Sequence, residues 1–163
     1  MMDTERKIGF APVFDENSRV LILGSFPSVK SRAVDFYYGH KQNRFWKMLC
    51  GYFEETIPDT TEGKRAFLQR NHIALWDMVI SCEVQGSADA TVKNAVVADL
   101  NEVLGFATIE RILLNGSLSY ELFCKSYANL AVPYEKMPST SPANPRYQED
   151  VWWRALDAVF RTT

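Results

Sequence analysis

Four short apolar segments that alternate with amphipathic segments constrain the fold of this chain more than any other feature. The apolar segments are predicted as strands over 19–24, 72–80, 109–114 and 131–137. Helices are predicted over 43–53, 61–70, 94–104, 117–127 and 147–160, with Thr61 and Ser117 as N-cap candidates. Such alternation is typical of a parallel sheet with helices on both sides. We therefore expect an α/β fold of three layers, α/β/α, around a central four-stranded, mostly parallel sheet.

The expected position of a ligand site follows from this topology. The fourth strand contains Pro133 and is therefore expected at an edge of the sheet. A length of 163 residues favours a single domain over 1–163. Ligands of such folds bind outside the carboxyl ends of the strands. The loops at that edge are predicted to begin at Gly24, Ser81, Asn115 and Pro138.

Several classes of protein are disfavoured by composition. The three cysteines, Cys50, Cys82 and Cys124, are odd in number and form no C-x-x-C pair, and there are two histidines. A disulfide framework and a metal site are therefore not expected, and no cofactor is indicated. No apolar run approaches the roughly 18–20 residues that span a bilayer, and the polar first residues do not resemble a secretion signal. We expect a cytoplasmic, monomeric protein with no membrane partner.

The charge is distributed unevenly along the chain. The formal net charge is −2, yet the segment 24–47 carries a local charge of +4. Its basic residues are interleaved with aromatic ones: Phe26, Phe36, Tyr37, Tyr38, Phe45 and Trp46. This pattern suits phosphates and bases of nucleic acid. The residues alone favour a solvated loop with a few core anchors, among which we expect Phe45 and Trp46.

Two loops in the predicted site have hydrogen-bonding groups suited to an anion. Gly24, Ser25 and Phe26 are expected to form a turn directly after a strand, and the backbone N–H groups of such turns can bind phosphate or a carbonyl oxygen. The segment 138–144, PSTSPAN, places three hydroxyls in a loop stiffened by prolines. A plain surface turn is the alternative for both.

One motif resembles a known family. The segment 36–46, FYYGHKQNRFW, is close to the F-P-F-A-H-P-x-N-R-F-W stretch of mismatch-specific uracil and thymine glycosylases. With GSFPS at 24–28, LWD at 75–77, SC at 81–82 and PSTSPAN at 138–144, the chain resembles the uracil-DNA glycosylase superfamily, and most of all its hypoxanthine-DNA glycosylase branch. The resemblance covers roughly 19–153.

The resemblance implies an activity. It predicts a monofunctional glycosylase, without cofactor or metal, that flips a deaminated base out of DNA and hydrolyses its N-glycosidic bond in base excision repair. Hypoxanthine from deoxyinosine is the expected base, with uracil as a second candidate. Phe26 stands where other branches place Asp or Asn, so the resemblance assigns the polar catalytic role to Asn43. The alternative for Asn43 is a helix N-cap, and the two roles can coexist.

The resemblance also implies the binding residues. Those expected at the base are Gly24, Ser25, Phe26, Tyr38, Trp76, Ser81 and Cys82. Those expected at the DNA backbone or in the wedge that fills the gap are Ser28, Lys30, Arg32, Ser117, Ser139, Thr140, Ser141, Pro142, Ala143, Asn144 and Arg146. Core packing is the alternative for Trp76, helix capping for Ser117, and a buried supporting group for Asp77. A catalytically silent binder of damaged DNA and an enzyme for free nucleosides remain as alternative functions.

Overall fold

The computed structural model describes residues 4–26, 36–85 and 92–161. Its strands are β1 (Thr4–Ile8), β2 (Val20–Gly24), β3 (Ile73–Asp77), β4 (Val79–Gln85), β5 (Val92–Val97), β6 (Arg111–Asn115) and β7 (Tyr134–Met137). Its helices are α1 (Phe45–Tyr52), α2 (Thr61–Arg70), α3 (Asn101–Leu104), α4 (Ser117–Tyr127) and α5 (Glu149–Phe160). Within these ranges, every helix is too short or too polar to cross a lipid bilayer.

Strands β3, β2, β6 and β7 form the central sheet in that order, and each neighbouring pair is parallel. Every residue of β2 and of β3 is buried, as expected for strands covered on both faces. Helix α2 packs on β3, helix α4 packs on β6 and β7, and α1 contacts α5. The predicted three-layer fold and the edge position of the proline-preceded strand β7 are confirmed.

The register of the sheet brings the ends of its strands to one edge. Gly24 at the end of β2 lies opposite Asp77 at the end of β3. On the other side of β2, Leu23 lies opposite Leu114, so that Asn115 ends β6 at nearly the same level. The carboxyl ends of three strands therefore meet where the chain order of the sheet reverses, which is where open α/β sheets bind ligands.

The second predicted strand, 72–80, is wrong in its extent. The strand ends at Asp77, because the chain turns there and the backbone N–H of Met78 donates to the carbonyl of Gly24 at 2.7 Å. The apolar residues that follow belong to β4, which pairs with β1 and β5 in a separate antiparallel sheet. Ser81 consequently lies within β4 and does not begin a loop at the central sheet.

The predicted helix over 94–104 is also wrong in its first half. Residues 92–97 form β5, and only Asn101–Leu104 are helical. The β-branched residues of this segment favour a strand once β4 offers an edge for pairing. The apolar spacing that suggested a helix is produced instead by a strand, a turn and a short helix. Leu100 and Val103 lie in the core, and Val97 at the end of the strand packs against it.

Two predicted helices begin where expected, but in both the N-cap is one residue earlier than the predicted one. Thr60, rather than Thr61, caps α2, since its Oγ1 accepts from the backbone N–H of Gly63 at 2.9 Å. Helix α4 begins at Ser117, but Gly116 occupies the cap position. Its φ of +93° is a backbone conformation in which a residue with a side chain would be strained. A Cβ on Gly116 would also come within 3.3 Å of Ser139 Cβ, so glycine allows the last loop to approach β6 closely.

Candidate active site

A pocket of about 270 Å³ opens at the carboxyl ends of β2, β3 and β6. Its lining residues come from four loops: Gly24, Ser25 and Phe26 after β2; Tyr37, Tyr38, His40 and Asn43 before α1; Asp77 and Asn115 at the ends of β3 and β6; and Ser139, Thr140, Ser141 and Pro142 after β7. The volume suits a single base, and the lining combines aromatic rings with a few polar groups, as ligand pockets commonly do.

Asn43 is held in a fixed orientation at the wall of this pocket. Its backbone N–H donates to the carbonyl of His40 at 2.9 Å, and its Oδ1 accepts from the backbone N–H of Phe45 at 2.9 Å. The second bond stabilises the start of α1 in the manner of a cap and identifies which end of the amide is the oxygen. A carbonyl oxygen has two lone pairs, so Oδ1 can accept a second bond from water. Capping and orientation of water are therefore compatible.

Asp77 and Tyr38 converge on Gly24 in the floor of the pocket. A Cβ added to Gly24 would lie 2.5 Å from Asp77 Oδ1 and 2.7 Å from the Tyr38 hydroxyl oxygen, so only glycine fits. Burial raises the pKa of the Asp77 carboxyl to about 7. Its Oδ2 is buried and has no hydrogen-bond partner in the described part of the chain. A carboxyl in this state carries a proton at neutral pH about as often as not.

The Tyr38 hydroxyl is also buried. Burial, and then the neighbouring Asp77, raise the pKa of Tyr38, while the Asn115 side chain opposes the shift. The amide of Asn115 is close, but no described group forms a hydrogen bond with this hydroxyl. The ring of Tyr38 stacks on Phe45 at 4.2 Å between centroids, and its backbone is left-handed, with a φ of +53°. Strain of this kind is often found at functional sites.

The other aromatic residues of the pocket are fixed from behind. The Tyr37 hydroxyl reaches the backbone carbonyl of Ala11 at 2.8 Å, and the carbonyl of Tyr37 accepts from Trp46 Nε1 at 3.0 Å. Phe26 packs against Val79 and Cys82. Phe45 and Trp46 are core residues, as expected.

Asn115 joins the end of β6 to the loop after β7. Its Nδ2 donates to Thr140 Oγ1 at 3.0 Å, and its Oδ1 accepts from the backbone N–H of Thr140 at 3.0 Å. Thr140 is consequently buried, with a relative exposure of 1%. Trp152 Nε1 donates to the carbonyl of Pro138 at 2.8 Å and fixes the start of the same loop from α5. The loop therefore presents a defined surface to the pocket.

The structure brings many of the expected site residues together. Those that line the pocket are Gly24, Ser25, Phe26, Tyr38, Asn43, Ser139, Thr140, Ser141 and Pro142. Those that do not line it are Trp76, Ser81, Cys82, Ser117, Ala143, Asn144 and Arg146. Trp76 is a core residue with 3% exposure. The expected contacts Ser28, Lys30 and Arg32 lie outside the described residues.

Four lining residues were not among the site residues expected from the sequence: Tyr37, His40, Asp77 and Asn115. Asn115 carries a signal that was available, because it is a polar residue that directly ends an apolar run, whereas Asp77 lies inside the apolar segment 72–80. Tyr37 and His40 lie inside the 36–46 motif. Within the described ranges, His, Cys, Asp and Glu side chains form no group of three that could hold a metal ion.

Comparisons with known proteins agree with this geometry. The family model of the uracil DNA glycosylase superfamily matches residues 11–158. A hypoxanthine DNA glycosylase of Methanosarcina acetivorans is 32% identical over 95% of this chain and 98% of its own length. A hypoxanthine DNA glycosylase of Methanosarcina barkeri is 34% identical over 71% of this chain and 75% of its own length.

A solved structure shares the fold. The solution NMR structure of a candidate uracil DNA glycosylase from Methanosarcina acetivorans superposes with a TM-score of 0.79 and 30% sequence identity, covering 93% of this chain and 96% of that one. The parallel sheet and the base-sized pocket at its carboxyl edge therefore define an α/β protein of the DNA glycosylase class. Within that class, the chain belongs to the uracil DNA glycosylase superfamily, as its 36–46 motif indicated.

Proposed function

We propose that this DNA glycosylase releases hypoxanthine from deoxyinosine in DNA, in base excision repair. The observation that carries the proposal is the position of Asn43, whose oriented amide faces the same pocket as the ring of Phe26. Both named relatives are hypoxanthine DNA glycosylases, and they support the choice of base. Uracil is kept as a second candidate base.

The reaction is hydrolysis of the bond between C1′ and N9. The electron pair of that bond leaves with the base, the water oxygen bonds to C1′, and a water proton is transferred to the base or to solvent. Positive charge develops on the sugar and negative charge on the base. Asn43 Oδ1 orients the attacking water but is too weakly basic to remove a proton early. The enzyme must therefore act mainly by stabilising the leaving base.

The turn after β2 is suited to that task. The carbonyls of Gly24 and Ser25 accept from the backbone N–H groups of Met78 and Val79 at 2.7 and 2.9 Å. In a trans peptide the N–H points opposite to the carbonyl, so the N–H groups of Ser25 and Phe26 point away from β4. The N–H of Ser25 is our candidate to bind the carbonyl oxygen of the base as negative charge develops on it.

Asp77 is our candidate for reading the edge of the base. A neutral carboxyl presents one O–H donor beside one carbonyl acceptor. Hypoxanthine presents the complementary pair, the C6 carbonyl and the N1–H group. The unpaired Oδ2 of Asp77 faces no described partner, so a bound base would satisfy it. Phe26 and Tyr38 are the candidates to stack on the base.

A catalytically silent binder of damaged DNA is the alternative, because Phe26 stands where other branches of the family place Asp or Asn, and Asn43 Oδ1 already accepts one bond. An oligonucleotide containing deoxyinosine separates the two functions. The glycosylase leaves an abasic site that hot alkali cleaves, whereas the silent binder retards the oligonucleotide without cleavage. Free deoxyinosine, tested in parallel, decides whether the substrate is DNA or a nucleoside.

Two expectations about the whole protein stay predictions, namely that it is monomeric and that it is cytoplasmic. Light scattering during gel filtration tests the first. A mass near 18.6 kDa is the expected result, and twice that mass contradicts it.

A further inference from the structure

Arg44, the residue after the candidate catalytic amide, is bound to the loop that follows β7, residues 138–144. Its backbone N–H donates to the carbonyl of Thr140 at 3.0 Å. Its Nη2 donates to two more carbonyls, that of Asn144 at 2.8 Å and that of Ser141. Three carbonyl groups of one loop therefore converge on a single residue.

The two carbonyls bound by the guanidinium belong to peptide groups of the same kind. Ser141 precedes Pro142, and Asn144 precedes Pro145. Because proline has no N–H, the carbonyl is the only hydrogen-bonding group of each of these peptides. Both bonds from the guanidinium to these carbonyls are partly buried, and a guanidinium supplies several donors in one plane.

The rest of the Arg44 side chain is already engaged or buried. Its guanidinium carbon lies 4.5 Å from the centre of the Tyr147 ring, on which the group stacks. Its Nε is buried and has no partner in the described part of the chain. These contacts assign Arg44 to holding the loop, although its charge alone would suggest contact with a DNA phosphate.

The same loop contributes Ser139, Thr140, Ser141 and Pro142 to the pocket wall. Two hydrogen bonds within the loop require its folded conformation. The backbone N–H of Ala143 donates to Ser141 Oγ at 3.2 Å, and the backbone N–H of Asn144 donates to the carbonyl of Ser141 at 3.0 Å. Both bonds involve Ser141, whose carbonyl is also bound by Arg44. Loss of the guanidinium would release the loop at its centre.

We propose that Arg44 is a positioning residue that holds the 138–144 loop against the Asn43 turn, so that the loop meets the DNA substrate already ordered. The role of the loop in DNA binding rests on the proposed function, whereas the effect of Arg44 on the loop does not. Arg44 acts through Ser141 and Asn144, and the predicted defect is in substrate binding and not in the chemical step.

The first test measures the loop without DNA. Hydrogen exchange is compared in the wild type, Arg44→Met, Arg44→Lys and the control Arg154→Met, which removes an exposed arginine paired with Asp150 on α5. We expect the amides of Ala143 and Asn144 to exchange at least about tenfold faster in Arg44→Met, since opening of the loop exposes them. Exchange at β2 should not change. Unchanged exchange in the loop would overturn the proposal.

The second test is single-turnover base release from an oligonucleotide containing deoxyinosine. In Arg44→Met the enzyme concentration for half-maximal rate should rise about tenfold, while the maximal rate stays within about threefold. Arg44→Lys keeps the positive charge and is the second variant for the case in which Arg44→Met does not fold. Its half-saturating enzyme concentration should also rise, to a smaller degree, while its maximal rate stays close to that of the wild type. A lower maximal rate at unchanged half-saturation would show that Arg44 acts on the chemistry, and it would overturn the proposal. If the wild type releases no base, the proposed function fails, and the exchange data still decide the role of Arg44.

Discussion

Asp77 Oδ1 and the Tyr38 hydroxyl oxygen both lie next to the position that a Cβ of Gly24 would occupy, at 2.5 and 2.7 Å from it. This relationship joins three elements that are distant in sequence: the end of β2, the end of β3 and the motif before α1. It also places a buried carboxyl beside a buried phenol in the floor of the pocket. The three residues can therefore be tested as one unit.

The substitution Gly24→Ala should disrupt this unit. A methyl group at the two distances above must displace the Asp77 carboxyl, the Tyr38 ring or the β2 backbone, none of which is the free end of a flexible chain. We expect a loss of base release of at least about 100-fold and a destabilisation of roughly 1–3 kcal/mol.

The matched control is Gly51→Ala in α1. A Cβ at Gly51 meets only Trp153 at 3.4 Å, an ordinary contact. Alanine in a helix is more stable than glycine by roughly 0.5–1 kcal/mol, so this variant should gain stability and keep activity. Urea unfolding and single-turnover assays on both variants provide the measurement. Equal behaviour of the two variants would contradict the packing around Gly24.

Base release should decline as the pH rises through about 7, because the Asp77 carboxyl, whose pKa burial raises to about 7, then loses its proton. The ionised form cannot donate to the base, and its charge opposes the negative charge that develops there. Asp77→Asn keeps a donor and an acceptor but does not titrate. Its pH profile should be flat in this range. A decline of the same size in Asp77→Asn would assign the titration to another group.

The stability of the fold should depend on protonation of the same Asp77 carboxyl. The folded pKa of Asp77 lies above the ordinary value of 3.8, so the folded state binds the proton more tightly than the unfolded state. The favourable contribution is fully present below about pH 4 and is lost as the pH rises through about 7. Melting temperatures of the wild type and Asp77→Asn, measured across this range, should therefore differ most in their dependence on pH. Parallel curves would contradict the burial of the charge.

Substitutions of Phe26 test why this chain has an aromatic residue where other branches of the family place Asp or Asn. If its ring stacks on the flipped base, Phe26→Leu should weaken productive binding by roughly 1–3 kcal/mol. Phe26→Asn should raise uracil release relative to hypoxanthine release and partly rescue Asn43→Ala, because a second amide would face the sugar. The measurement is the ratio of the two released bases in the single and double variants. An unchanged ratio without rescue would show that residue 26 does not face the reacting sugar.

DNA binding should weaken with salt although the net charge of the chain is −2. Each phosphate contact contributes a slope of about −0.9 to the plot of log affinity against log salt concentration. We expect the slope that a few such contacts together produce. It is measured by fluorescence anisotropy with an oligonucleotide that contains no damaged base. A flat plot would contradict a DNA interface at this pocket.

Strands β2 and β3 of the central sheet were predictable because they are apolar runs, and burial on both faces leaves that mark on a sequence. The second sheet was not predictable in the same way. The residues of β4 continue the apolar run of β3, and only the turn at Asp77, where Met78 bonds to Gly24, separates the two strands. The strand β5 depends on pairing with β4, a long-range contact that helical spacing cannot reveal.

The candidate site shows the same division. Asn43 was expected at the site because it belongs to the motif 36–46, whose residues are adjacent in sequence, and it does line the pocket. Asp77 and Asn115 owe their position to the register of three strands, and a polar residue at the end of an apolar run is otherwise read as the end of the strand. The function of Arg44 depends on a loop about 100 residues later, so its sequence position gave no sign of it.

The most direct measurement is single-turnover release of free hypoxanthine from an oligonucleotide with one deoxyinosine, by wild type, Asn43→Ala and Asn43→Ser. Serine keeps a cap for the Phe45 N–H, whereas alanine loses it at about 1 kcal/mol. We predict that the wild type releases hypoxanthine stoichiometrically and leaves an abasic site, while both variants stay folded and lose at least about 100-fold in rate. Near wild-type release by Asn43→Ser would reduce Asn43 to a helix cap, and the absence of release by the folded wild type would contradict a hypoxanthine-DNA glycosylase.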